Sequence, residues 1–188
     1  MFTALITAAL AQENTLHLSV HTGTNDDLVT ERVTTIGIER VVRPWLSATL
    51  HAGMGPREGK RRPMALMVEQ TTYLVSRSAA PRGIGWAGAR FTPARRSVGR
   101  VDSALGLDLG AGALYSVEYG PLVNPSDFKE ISAMARYGLY SSLNWNTWGI
   151  ELGLSRTRYE ESFNDSAGED FLFSTQRLWV SGGITWRL

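Results

Sequence analysis

The sequence contains no cysteine. That excludes a disulfide-stapled scaffold and any thiolate metal site, and it leaves the compartment open. A long apolar run is also missing. No stretch reaches the roughly 18 residues that a membrane-spanning helix needs, and the mean hydropathy is −0.13. Net charge is small, +1 over 188 residues, so bulk attraction to nucleic acid is absent. Histidine occurs three times, which leaves few candidates for imidazole chemistry. No low-complexity segment or linker divides the chain. One class of membrane protein survives all of these absences. A β-barrel crosses lipid with strands in which only alternate residues are apolar, so it never shows a long apolar run.

What is present is glycine, 19 residues, and six each of Trp, Tyr and Phe. Small barrels use both, at tight corners and at membrane interfaces. In 104–119 the residues Leu105, Leu107, Leu109, Ala111, Ala113, Tyr115, Val117 and Tyr119 form one apolar row. Opposite stand Gly106, Asp108, Gly110, Gly112, Ser116 and Glu118, with Leu114 the one large apolar residue among them. A narrow interior has little room, and that accounts for the glycines. In 171–188 the residues Leu178, Val180, Ile184, Trp186 and Leu188 alternate with Trp179, Ser181, Gly183, Thr185 and Arg187, and Gly182 interrupts the apolar row. Alternation recurs in 15–21, 33–42, 45–53, 84–91, 131–145 and 147–159, and less clearly in 64–76. Residues 92–102 read as a basic connection and 159–170 as a long acidic loop.

The closing strand resembles that of bacterial outer-membrane β-barrels. In that family it is also the signal read by the barrel-assembly machinery. The resemblance implies this role for Val180, Ile184, Trp186 and Leu188, with Leu188 where the family usually ends on an aromatic. Nine candidate strands are present, whereas single-chain bacterial barrels use an even number. Eight is the expected count, because eight strands can be filled by side chains alone; one of 15–21, 64–76 and 84–91 is then surplus or merged, with 64–76 the first to discard. Counting back from a periplasmic C-terminus puts 144–146 in a short periplasmic turn and 120–130 and 160–170 outside. Trp145, Trp148 and Trp186 then fall at the periplasmic end, and Tyr115, Tyr119, Tyr137 and Tyr159 near the outer end, as two girdles. Residues 1–11, MFTALITAALA, read as a secretory signal cleaved after Ala11. The expectation is an all-β, closed, antiparallel up-and-down transmembrane β-barrel of eight strands, one domain over 12–188, in the bacterial outer membrane.

The face assigned to the lumen carries Asp108, Glu118, Arg136, Glu151 and Arg177, with Tyr140, Asn144 and Trp179. Charges in a narrow barrel must pair or be hydrated, so a salt-bridge network is expected there. His17, His21 and His51 share the polar parity of the N-terminal strands, with Ser19 and Glu39 nearby. Such a set is either a hydrolase constellation or lumen filling. The stretch Leu105 to Tyr159 resembles the C-terminal half of the lipid A 3-O-deacylases, which are eight-stranded barrels. The likeness lies in Leu107-Asp108-Leu109-Gly110-Ala111-Gly112, a loop, and a hairpin ending Gly149-Ile150-Glu151-Leu152-Gly153-Leu154. Small opacity-type surface proteins are similar as well. The deacylases carry a catalytic His-x-Ser-Asn motif after this hairpin. Here the place reads Ser155-Arg156-Thr157-Arg158-Tyr159-Glu160, without the motif. The resemblance therefore implies the scaffold and not the activity.

Arg156 and Arg158 read as outer-rim cations placed to meet lipopolysaccharide phosphates. The function expected is a non-enzymatic, monomeric outer-membrane barrel that presents loops at the cell surface. Its partners are outer-membrane lipid and lipopolysaccharide, with no cofactor, metal or nucleic acid. The alternatives are a lipid A-modifying hydrolase built on the histidines, or a soluble lipocalin-like barrel with the Leu105 row turned inward.

Overall fold

The computed structural model describes residues 14–24, 30–55, 61–68, 70–78, 83–117, 120–121, 129–164 and 170–188. The expected signal segment, with its cleavage after Ala11, lies outside the described residues, as do Glu118 and Tyr119. In chain order the strands are β1 (Asn14–Thr24), β2 (Thr30–Arg43), β3 (Leu46–Met54), β4 (Arg61–Val68), β5 (Thr71–Ser78) and β6 (Gly83–Val98). Then follow β7 (Val101–Val117), β8 (Gly120–Pro121), β9 (Lys129–Trp145), β10 (Trp148–Asn164) and β11 (Asp170–Arg187).

Eight of these close into an antiparallel barrel in the order β1-β11-β10-β9-β7-β6-β3-β2. The first and last strands seal it, with Leu16 opposite Trp186 and Leu18 opposite Ile184. The discarded stretch, 64–76, straddles β4 and β5, which form a separate sheet with β8 outside the wall.

Two loop assignments are corrected. Residues 92–102 are wall. β6 runs to Val98, Gly99 and Arg100 make the turn, and β7 starts at Val101. The register shifts between Phe91 and Ala94. A bulge of this kind breaks the period of two, and so the strand looks like a loop in the sequence. Gly99 sits at φ 62 in the left-handed region, which suits glycine. The acidic stretch 159–170 is also mostly strand, because β10 and β11 stay paired up to Asn164 and Asp170. The turn expected at 144–146 is Asn146-Thr147, with Trp145 opposite Trp148 and Asn146 at φ 51.

The three two-residue turns, at 44–45, 99–100 and 146–147, share one end of the barrel with Asn14 and Leu188. There the Leu188 amide donates to the Asn14 carbonyl at 2.9 Å. The longer connections lie at the other, loop end. A membrane crossing takes about 9–11 residues per strand. β3 has 9 and β1 has 11, but β7, β9 and β10 have 17 each and β11 has 18. The wall is therefore taller on the β7–β11 side.

Strand parity sorts the side chains. Leu109 is 55% exposed while its neighbour Asp108 is 7% exposed. Leu105, Leu107, Leu139, Leu152, Leu154, Val180 and Ile184 join Leu109 on the outside. A soluble lipocalin-like barrel would hold this row inside. An apolar exterior around a polar interior is the arrangement of a barrel that sits in lipid. Trp45, Trp148 and Trp186 stand half-exposed near the short-turn end, with Trp145 stacked on Trp148 at 4.8 Å. Tyr137 faces outward, but Tyr159 does not join it. Tyr159 shares the parity of Glu151, Ser155 and Thr157, and it is 1% exposed inside the lumen.

Candidate functional site in the lumen

Five strands bring ionisable side chains to one level of the lumen, on the short-turn side. β6 supplies Arg90, β2 Glu39, β10 Glu151, β7 Asp108 and β1 His17. Arg90 Nη1 donates to Glu39 Oε2 at 2.9 Å and to Glu151 Oε2 at 2.6 Å, and Nη2 donates to Glu151 Oε1 at 3.0 Å. The contact with Glu151 is bidentate, the geometry that a guanidinium fork makes best. Asp108 Oδ2 lies 3.9 Å from Nη2. His17 Nε2 is 3.2 Å from Glu39 and its Nδ1 is 3.6 Å from Glu151. The Arg90 guanidinium also lies 4.0 Å over the Tyr140 ring, whose hydroxyl is hydrogen-bonded to Thr92. Only 3% of Arg90 is exposed. A cavity of about 60 Å³ lies beside this cluster, lined by His17, Glu39, Arg90, Tyr140 and Glu151, with Asp102 and Arg187 at the short-turn end. Those two form an ion pair at 3.0 Å.

Of the lumen residues named from the sequence, Asp108, Arg136, Glu151 and Arg177 point inward. The Glu118 side chain lies outside the described residues. The structure centres the ion pairs on Arg90, which that set omitted. Its parity with Trp86 and Gly88 was the available signal. Reading 92–102 as a loop made Arg90 look like the end of a strand. Arg136 lies over the Trp86 ring at 4.4 Å, and Arg177 over Tyr159 at 5.0 Å.

The three histidines do come together. Register aligns His17 with Gly37 and Gly37 with His51 across β1, β2 and β3. A Cβ at Gly37 would overlap the His51 ring, so glycine there is what admits it. His51 stacks on Trp86 at 4.6 Å, and its edge contact with His17 is 5.7 Å. His21 Nε2 is hydrogen-bonded to Thr35 Oγ1 at 2.9 Å. Ser19 also faces the lumen. His17, His21, His51 and Thr35 are at most 5% exposed, enclosed by the wall with no acyl-sized space beside them. A hydrolase of membrane lipid needs its nucleophile and base at the lipid surface, which is the opposite placement.

Toward the loop end the filling becomes apolar. Val33, Ile84, Leu114, Met134, Tyr159 and Trp179 form one buried cluster with Trp86. Leu114 is 0% exposed, and Trp179, 1% exposed, donates its indole N–H to Thr157 Oγ1 at 2.9 Å. Inward glycines make room for these rings: a Cβ at Gly110 would come within 3.0 Å of Trp86.

No family model matches the sequence, and no curated protein matches it. Solved structures do match. The N-terminal β-barrel domain of OprF from Pseudomonas aeruginosa superposes with a TM-score of 0.50 at 8% identity, covering 94% of this chain and 99% of that one. Neisserial surface protein A gives 0.52 at 7% identity, covering 94% and 97%. The fold is that of the small outer-membrane barrels. The eight-stranded count expected from the sequence is borne out by this match and by the closed sheet. At such identity the likeness concerns the fold alone.

The other residues singled out lie on the wall. Val180, Ile184, Trp186 and Leu188 face outward on or beside β11. Arg156 and Arg158 face outward on β10 toward the loop end, both exposed. Arg158 Nε donates to Ser174 Oγ at 3.0 Å, and Arg156 stands between Tyr137 and Leu178 in register.

Proposed function

We propose that this chain is a monomeric, non-enzymatic barrel of the bacterial outer membrane that holds its protruding strand ends and loops at the cell surface. The observation that carries this reading is the filled lumen. Its carboxylates are paired to Arg90, and its upper half is packed with buried apolar side chains. Such an interior serves as a rigid core, and the variable part of the molecule is then the loop end. Purified, refolded protein in a planar bilayer should show no steady conductance, and lipid A incubated with it should keep its acyl chains by mass spectrometry. A steady conductance would overturn the plugged lumen, and loss of a 3-linked acyl chain would overturn the non-enzymatic reading.

Arg156 and Arg158 serve in this reading as the lipopolysaccharide contact, where guanidinium groups meet lipid A phosphates. Leu154 and Leu178 just inside them offer acyl chains an apolar wall. Val180, Ile184, Trp186 and Leu188 serve as the strand read by the barrel-assembly machinery during insertion.

A further inference from the structure

The short-turn end carries cations outside the Arg90 cluster. Arg43, Arg96 and Arg100 are exposed there, and Arg95 lines both the lumen cavity and an outer groove. Among the described residues the acidic side chain at this rim is Asp102, already held by Arg187 at 3.0 Å and by Ser97 at 2.7 Å. The rim is therefore strongly positive, although the whole chain is nearly neutral.

The wall beside it is not uniform. Around the rim the outward positions are mostly large and apolar, among them Trp45, Phe91, Leu143, Trp148 and Trp186. The bulge between Phe91 and Ala94 interrupts this belt. Next to it Ala94, Ser103 and Ser141 leave a groove of about 370 Å³, with Leu105 as its apolar floor and Arg96 at its rim. These residues share the outward face, because Ala94 pairs with Leu105, Arg96 with Ser103, and Leu105 with Ser141. Ser103 Oγ donates to the Arg96 carbonyl at 3.0 Å and braces the strand beneath that arginine. The tryptophans mark this level as the membrane interface. A guanidinium there can keep its stem along lipid and its head in the headgroup layer.

We propose that this groove binds one anionic phospholipid of the periplasmic leaflet. Its phosphate would lie on Arg96 and the Ser141 hydroxyl, and an acyl chain would run along Leu105. Charge complementarity selects the occupant. A zwitterionic lipid brings its own cation to the phosphate, whereas a phosphatidylglycerol does not. The field of Arg96 with its neighbours Arg95 and Arg100 then favours the latter. This site is independent of the lipopolysaccharide contact at the other end and needs only that the barrel span the membrane.

The test is native mass spectrometry of the refolded full chain, released from micelles doped with equal phosphatidylglycerol and phosphatidylcholine. Wild type should retain phosphatidylglycerol preferentially. Arg96→Gln should lower that retention about fivefold, the usual weight of one basic side chain at a charged membrane surface. Ser141→Leu keeps every charge but fills the groove, and it should lower retention at least as much. Arg32→Gln, outward at the loop end, should change nothing. Heat-modifiable gel migration reports folding for each variant, and Arg96→Gln alone remains decisive if Ser141→Leu fails to fold. Equal retention of the two lipids would overturn the proposal. So would wild-type retention in Ser141→Leu, which would reduce the rim to a diffuse field. Displacement of the lipid by millimolar inorganic phosphate would overturn it too, by showing a bare anion site.

Discussion

The two halves of the lumen fill the same cross-section by opposite means. On the short-turn side Arg90 gathers Glu39, Glu151 and Asp108, with His17 against both glutamates. Toward the loop end Val33, Ile84, Leu114, Met134, Tyr159 and Trp179 pack as a hydrocarbon core. Both halves exclude solvent, with Arg90 at 3% and Leu114 at 0% exposure. The difference lies in how each fails. An ion cluster depends on every partner, because one removal leaves uncompensated buried charge. An apolar plug loses only the contacts of the side chain removed, plus the cavity left behind.

The comparison is most easily broken at its hub. Arg90→Met should destabilise the barrel by about 3–5 kcal/mol, read by urea unfolding in vesicles followed by tryptophan fluorescence. Adding Glu39→Gln and Glu151→Gln should restore most of that loss. A cost under about 1 kcal/mol for Arg90→Met would mean that water, not Arg90, compensates the carboxylates. In the apolar half, Leu114→Ala should cost about 2–5 kcal/mol by the same measurement, and no charge change elsewhere should rescue it. Rescue by a lumen carboxylate substitution would show that the two halves are one unit. Outside the barrel, Leu109→Arg should cost roughly 2–4 kcal/mol if Leu109 sits near mid-bilayer. A neutral result would move the membrane away from this part of β7. The smallest effect is expected for Thr157→Val, which keeps the side-chain shape and removes the acceptor of the Trp179 indole N–H. About 1–2 kcal/mol should follow from the unpaired indole donor, and a double-mutant cycle with Trp179→Phe should show the coupling.

Legibility in the sequence followed the lipid. Where the wall contacts the bilayer, as in 105–115, alternation is enforced on every residue and the strand can be read directly. Where that constraint lapses, the reading failed. At residues 92–102 the bulge at Phe91/Ala94 shifts the parity, and a strand looks like a basic loop. In 159–170 the tall wall carries polar side chains on its outer face, such as Arg158, Glu160 and Ser174, so a paired strand reads as an acidic loop. Tyr159 was misplaced for a different reason. Its height on β10 was read and its parity was not, and parity decides the side of the wall.

Along the regular, lipid-facing stretches the sequence by itself determined which residues face lipid and which face the lumen, because the period of two is a local property of each strand. It also placed one short turn, expected at 144–146 and found at Asn146-Thr147, whereas the turn at Gly99-Arg100 was hidden inside a stretch that reads as a connection. Only the tertiary structure decided which inward residues meet. Glu39, Arg90 and Glu151 are separated by 51 and 61 positions, and they touch because closure and shear bring β2, β6 and β10 to one level. Register between distant strands is a collective property of the closed sheet, and no single strand encodes it.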